Sequence, residues 1–214
     1  MRRLHRGLPS VLAFAFALAA CAPAPPDDDP GQRYAAWQRS AATGVAQYRQ
    51  RLAAEGVADI VPMPALLRSS RRWRACDAPE FLLPPASRMA AIAPTLELVA
   101  ELQARGLLRA QDARSGYRDA ALNRCSGGSP RSRHLENRAL DFDLSADTAG
   151  VEALCRFWRR EGARRQMGLG FYTPTRIHVD TAGHRTWGSD HRRGTSLCVA
   201  PPQSGRNASR TQTP

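Results

Sequence analysis

Two short runs of alternating residues limit what this chain can fold into more than any other feature. In the first, Leu140, Phe142 and Leu144 alternate with Ala139, Asp141 and Asp143; in the second, Ile177 and Val179 alternate with Arg176, His178 and Asp180. Period-two alternation marks a half-buried strand, so each run predicts a strand with its apolar side chains inward and its polar ones sharing the other face. Ahead of the first run, Ser132-Arg133-His134 leads into Asn137, one of the few residue types that accept a left-handed turn. Taken alone, His134 and Asp141 also fit a solvated loop histidine and a strand-end aspartate. If the two strands are neighbours, however, His134, Asp141 and His178 supply two imidazoles and one carboxylate. Three such ligands leave a tetrahedral zinc one open position, the arrangement of a catalytic site rather than a structural one.

The N-terminus reads Met1-Arg2-Arg3, then an apolar run from Val11 to Ala20, then Cys21. This is the basic n-region and short h-region of an export signal, too short to remain as a membrane span. Leu18-Ala19-Ala20-Cys21 also resembles a bacterial lipobox. That resemblance implies lipidation of Cys21 and a membrane anchor. With Ala22 rather than Asp next, the usual Gram-negative sorting pattern implies a periplasmic protein held at the outer membrane. Simple cleavage near an Ala-x-Ala-like site is the alternative. Residues 22–32, with Pro23, Pro25, Pro26 and Asp27 to Asp29, predict an extended tether. One domain is expected over 33–199, and the polar tail 200–214 is expected to be disordered.

Beyond Cys21 the chain carries Cys76, Cys125, Cys155 and Cys198, an even number in an exported protein, which predicts two disulfides with three possible connectivities. No Cys-x-x-Cys pair is present, which argues against a cysteine zinc site. The formal charge of +12 and pI near 10.9 would suit a nucleic-acid binder, as would the arginine cluster 156–165 beside Phe157 and Trp158. The export signal argues against nucleic acid. Every basic residue that contributes is Arg and none is Lys, which points to genome composition as much as to a partner. Without Arg2, Arg3 and Arg6 the charge falls from +12 to +9, still suited to an anionic polymer such as the cell wall or to acidic lipid head groups.

Helical spacing is clearest over Tyr34 to Glu55, stopped by Gly56, and over Ser87 to Arg105, stopped by Gly106. A strand is expected within 107–117, a short helix from Asp119 to Arg124, and a third long helix capped by Asp147 and running to about Arg165. Ile60 to Trp73 is ambiguous, because Pro62 and Pro64 oppose a long helix. Ser126-Gly127-Gly128-Ser129-Pro130 is a loop by composition and delivers His134. Two short strands or a strand and turn are expected over 168–180.

Five segments together resemble the M15 family of zinc peptidases: Ser115-Gly116-Tyr117-Arg118; Ser132-x-His134 with Asp141; Gly168-Leu169-Gly170-Phe171-Tyr172; Ile177-His178-Val179-Asp180; and Arg185-x-Trp187-Gly188. The likeness spans roughly residues 70 to 198 and is nearest to D,D-carboxypeptidases and murein endopeptidases. With the strand and helix patterns it implies an α+β fold: a small antiparallel sheet with flanking helices and a zinc site in a cleft on the sheet. It implies zinc ligands at His134, Asp141 and His178, a substrate-binding and catalytic arginine at Arg118, and a substrate-side serine at Ser132. Chain proximity and this likeness together favour the pairs Cys76 with Cys125 and Cys155 with Cys198. Two positions depart from the family pattern: Asn137 stands where Gly is usual, and Thr175 where many members carry an acidic general base.

The implied activity is zinc-dependent hydrolysis of peptidoglycan stem peptides, at a terminal D-Ala-D-Ala or at a crosslink, in cell-wall remodelling. The alternative is a zinc-containing peptidoglycan-binding lipoprotein without turnover, which Thr175 keeps open. Because Asp180 shares a strand face with His178, it is the candidate base, with orientation of a ligand histidine as its other possible role. Asp143 is the next candidate. His184 and His191 read as loop histidines, and Tyr172 and Trp187 as cleft-wall residues. No sequence feature specifies an oligomeric state.

Overall fold

The computed structural model describes residues 29–144 and 148–199. The export segment with Cys21, the tether up to residue 28, Asp147 as a helix cap and the tail from residue 200 lie outside the described residues.

Helix α1, Pro30–Ser40, begins inside the expected tether. Asp29 accepts a hydrogen bond from the Gly31 amide, and Pro30 fills the first turn where no amide is needed, so the last tether residues are a helix start. The single helix expected over 34–55 is two, because α2, Ala42–Ala54, restarts after Ala41 leaves the helical region at φ −108°. Nothing at Ala41 signals a stop. Packing of Tyr34 and Trp37 against Phe81 on one side, and burial of Tyr48 and Leu52 on the other, overrides its propensity. The ambiguous segment holds only a short helix, α3, Met63–Leu66. The second long helix opens as a 3-10 stretch, Ala86–Ile92, and becomes α4, Ala93–Ala104, at the point where Pro94 occupies the first turn. Helix α5, Ala120–Cys125, is capped by Asp119, and α6 spans Thr148–Glu161.

Five strands form one sheet: β1 Ala113–Ser115, β2 Ala139–Asp143, β3 Gly168–Thr173, β4 Arg176–Asp180 and β5 Arg185–Trp187, in the order β1-β2-β4-β3-β5. The expected sheet was antiparallel throughout; this one is mixed, because β3 and β5 run parallel. The turn after β4 reverses the chain and lands it beyond β3. Since β3 is itself antiparallel to β4, a strand that reverses from β4 and pairs with β3 must run parallel to it.

Register separates the two faces of this sheet. Asp141 lies opposite His178, Asp143 opposite Arg176 and Ala139 opposite Asp180, while Gly168 and Gly170 of β3 lie opposite Asp180 and His178. On the other face Leu140, Phe142, Leu169, Phe171, Ile177 and Val179 are no more than 2% exposed. These side chains join one core with Leu96, Val99 and Leu102 of α4 and Leu154, Phe157 and Trp158 of α6. Each such burial contributes roughly 1.5–3 kcal/mol, so a register slip of one residue would be strongly opposed. Thr95 Oγ1 donates to the Arg138 carbonyl at 2.8 Å and lies 3.1 Å from Thr181 Oγ1, fastening α4 to the ends of both site strands.

The two disulfides are Cys76–Cys125 and Cys155–Cys198. The first joins the segment after α3 to the end of α5; the second joins α6 to the last described residues.

Candidate metal centre

His134 is delivered by a short 3-10 turn, Arg133–Glu136. Ser132 caps the turn by accepting from the His134 amide, and Asn137 ends it in the left-handed region at φ 53°. Asparagine therefore meets the conformational demand that glycine meets elsewhere in the family pattern. Its side chain is also used, since Nδ2 donates to the Arg88 carbonyl at 2.9 Å and lies 3.2 Å from the Tyr48 hydroxyl. Gly116 closes the other side, where a Cβ would come within 2.4 Å of the Leu66 carbonyl oxygen. The Gly116 carbonyl can then accept from His134 Nδ1 at 2.6 Å.

That bond fixes the tautomer. With its proton on Nδ1, His134 presents a bare Nε2 to the cleft. His178 is held in the opposite sense, donating from Nε2 to Asp180 Oδ2 at 2.9 Å and presenting Nδ1. Arg118 and Ser115 settle the third member: the Arg118 guanidinium holds Asp141 Oδ2 and bonds Ser115 Oγ at 2.8 and 3.0 Å, leaving Asp141 Oδ1 to face the two rings. His134 Nε2 is 3.0 Å from Asp141 Oδ1 and 3.1 Å from His178 Nδ1, and His178 Nδ1 is 3.1 Å from Asp141 Oδ1.

Three lone pairs thus converge in a nearly equilateral triangle, all on buried residues. A tetrahedral zinc with bonds of about 2.0–2.2 Å has ligand-to-ligand edges of about 3.3–3.6 Å, so the triangle needs to open by only a few tenths of an ångström. Among the described residues it is the only set of three such side chains brought together this way. Without a cation the set is electrostatically awkward. Burial and the Arg118 charge push His134 down to about 4, so its ring stays neutral at pH 7. Burial opposes a charge on His178 as well, but its bonds to Asp141 and Asp180 outweigh this and raise it. Asp141 is held well below the usual carboxylate range: burial works against ionisation, and His134 and Arg118 more than offset it.

The triangle opens onto a cleft of about 760 Å³ that Arg118, Ser132, Tyr172, Trp187 and His191 help to line. Arg118 and Ser132 therefore stand where the sequence expects substrate contacts, and Trp187 forms wall as expected, with its ring 5.2 Å from that of His178. Gly170 allows this approach, since a Cβ there would meet the Trp187 ring at 2.3 Å. His184 lies elsewhere, bonded to the Trp158 carbonyl at 3.2 Å.

Asp180 reaches the His178 face as the alternation predicts, but it sits behind the ring. It is fully buried, does not line the cleft, and is held by Arg185 at 2.6 and 3.0 Å and by the Ala182 amide at 2.8 Å. Although burial disfavours its charge, His178 and Arg185 hold it down at about 2. A carboxylate so placed orients the imidazole and has no route to a substrate proton. Asp143 is no substitute, being paired with Arg71 at 2.7 Å and Arg114 at 3.0 Å outside the cleft lining. Tyr172 comes closer than expected. Its hydroxyl lies 3.4 Å from both Asp141 Oδ1 and His178 Nδ1, and burial together with the Asp141 charge raises its pKa, so it stays a proton donor. The signal was present in the sequence: Gly168, Gly170 and Tyr172 continue the site-face alternation of β3.

Fold and site together define an α+β protein with a candidate three-ligand metal centre in a cleft on its sheet. The family model described as Peptidase M15 matches residues 86–180, a segment that includes His134, Asp141 and His178, and this match supports an assignment to the peptidase M15 family. No curated protein and no solved structure matches the chain significantly. M15 peptidases are metal-dependent, and the three converging ligand atoms are the residues that could hold the ion.

Proposed function

We propose that the protein is a zinc peptidase that hydrolyses peptidoglycan peptides, as a D,D-carboxypeptidase or crosslink endopeptidase, in the periplasm and anchored through Cys21. The observation that carries this reading is the triangle of His134 Nε2, Asp141 Oδ1 and His178 Nδ1 opening onto a large cleft. Zinc in such a set supplies a Lewis acid that acidifies water and polarises a carbonyl. The chain's own residues do the rest. Asp180 and the Gly116 carbonyl fix the two rings, and Arg118 both positions Asp141 and faces the cleft, where its planar donor set suits a substrate oxygen. Ser132 and the protonated Tyr172 hydroxyl add donors at the cleft floor.

A second reading, a zinc-containing binding lipoprotein without turnover, is favoured by one feature. Among the described residues Asp141 is the only carboxylate that lines the cleft, so none of them offers the substrate a free acidic base there. Incubating zinc-loaded protein with purified muropeptides and analysing the products by mass spectrometry separates the two. Loss of a terminal alanine or release of monomers from crosslinked dimers supports the peptidase. Unchanged muropeptides that still bind support the second reading.

A further inference from the structure

Among the described residues eight arginines line the metal cleft against a single carboxylate, and that carboxylate is the ligand Asp141. The arginines fall into two groups. Arg71, Arg133 and Arg185 are paired with Asp143, Glu136 and Asp180, and Arg118 with Asp141, so their charges are already answered within the protein. Arg72, Arg131, Arg176 and Arg193 are exposed and have no hydrogen-bond or ion-pair partner for the guanidinium among the described residues.

These four come from separate parts of the chain. Arg72 precedes the 3-10 turn Arg74–Cys76, Arg131 lies in the loop that delivers His134, Arg176 opens β4 on the site face, and Arg193 begins the 3-10 turn Arg193–Thr195. The fold therefore gathers like charges from four segments around one concavity. Like charges in a cleft repel one another, and low-dielectric walls focus their combined field outward, where an anionic ligand lowers the energy of the whole set. A guanidinium presents a planar fork of donors that matches a carboxylate, so the ligand chemistry that fits is several carboxylates spaced along an extended peptide.

We propose that the cleft selects peptides bearing multiple free carboxylates. Arg72, Arg131, Arg176 and Arg193 receive carboxylates other than those at the reacting bond, so a stem peptide with its side carboxylates free is preferred over the same peptide with those groups amidated. This rests on the peptidoglycan reading for the identity of the peptide, and on the arginines alone for its charge.

The test uses the zinc-loaded full chain and two synthetic stem peptides that differ only in whether the side carboxylates are acids or amides. The free-acid peptide should bind at least about tenfold more tightly at low ionic strength, with the gap narrowing as salt screens it. The double variant Arg131→Glu/Arg193→Glu should remove most of the difference. Arg160→Glu, an exposed charge change on α6 outside the cleft lining, should preserve it. Equal affinity of wild type for the two peptides overturns the proposal, as does tighter binding of a single-stranded oligonucleotide than of the free-acid peptide. Turnover separates this idea from the one beneath it. Equal binding and cleavage of both peptides leaves the peptidase standing and sinks the charge preference; discrimination in binding with no cleavage of either supports the preference and removes the peptidase.

Discussion

His178 and Asp180 stand two residues apart on β4, and the carboxylate of the second accepts a hydrogen bond from Nε2 of the first at 2.9 Å while the opposite ring nitrogen faces Asp141 and His134. The pair divides the imidazole into a held side and a working side. Arg185 and the Ala182 amide in turn fix Asp180, so the ligand is positioned by a chain of contacts anchored in the turn between β4 and β5.

Asp180→Asn should therefore act first on metal affinity. Zinc binding, measured by competition with a chromogenic chelator, should weaken by roughly 10- to 100-fold, and excess zinc should recover much of the lost turnover. Undiminished zinc affinity with a large fall in kcat would instead return Asp180 to proton transfer.

The sequence carried the site's residues and their faces but not their depth. Alternation in 139–144 and 176–180 was enough to put Asp141, His178 and Asp180 on one face, and Asn137 was enough to place the left-handed turn at φ 53°. What alternation cannot encode is which ring nitrogen meets which carboxylate. A residue two positions along a strand is displaced by about 6.5–7 Å, which brings Asp180 to the far nitrogen of His178 and leaves the near one for metal. The parallel strand β5 was illegible for a different reason: three residues carry no period, and its pairing is set by β3 rather than by its own sequence. The break at Ala41 likewise belongs to tertiary packing.

Gly170→Ala tests the close approach of β3 and β5. The new Cβ would lie 2.3 Å from the Trp187 ring, and the added bulk should cost about 1–3 kcal/mol in a denaturant titration. Combining it with Trp187→Ala should recover part of that loss relative to Trp187→Ala alone. A fully additive double variant would show that the ring is not what excludes a side chain at 170.

The two disulfides close chain separations of 49 and 43 residues, and each should stabilise the domain by about 2–4 kcal/mol. Thiol titration of denatured, unreduced protein should find none of Cys76, Cys125, Cys155 or Cys198 free. Because Cys125 adjoins the cleft-lining loop at Ser126 to Ser129, Cys76→Ser/Cys125→Ser should impair peptide binding more than Cys155→Ser/Cys198→Ser at temperatures where both stay folded. Equal effects on binding would deny the first bridge any special part in shaping the cleft.

Acid should unfold the metal-free protein in a manner set by the buried triangle. Asp180 is held at about 2 against an ordinary 3.8, so its contribution is complete above about pH 4 and is lost as pH falls towards 2; Asp141, held well below its ordinary value, acts in the same sense. His134, lowered to about 4 from 6.5, also favours unfolding as pH drops, because the unfolded chain takes up the proton first. His178 is raised and has the opposite sign: its contribution is present at low pH and lost as pH rises through its folded value. The His178 window therefore lies above about pH 6.5; between about 6.5 and 4 its ring is protonated in both states and His134 alone makes stability fall with pH, and below about 4 the carboxylates continue the fall. The check is the denaturation midpoint of chelator-treated protein against pH, and a midpoint that stays level from pH 5 down to about 2.5 would contradict a buried, ionised Asp141 and Asp180.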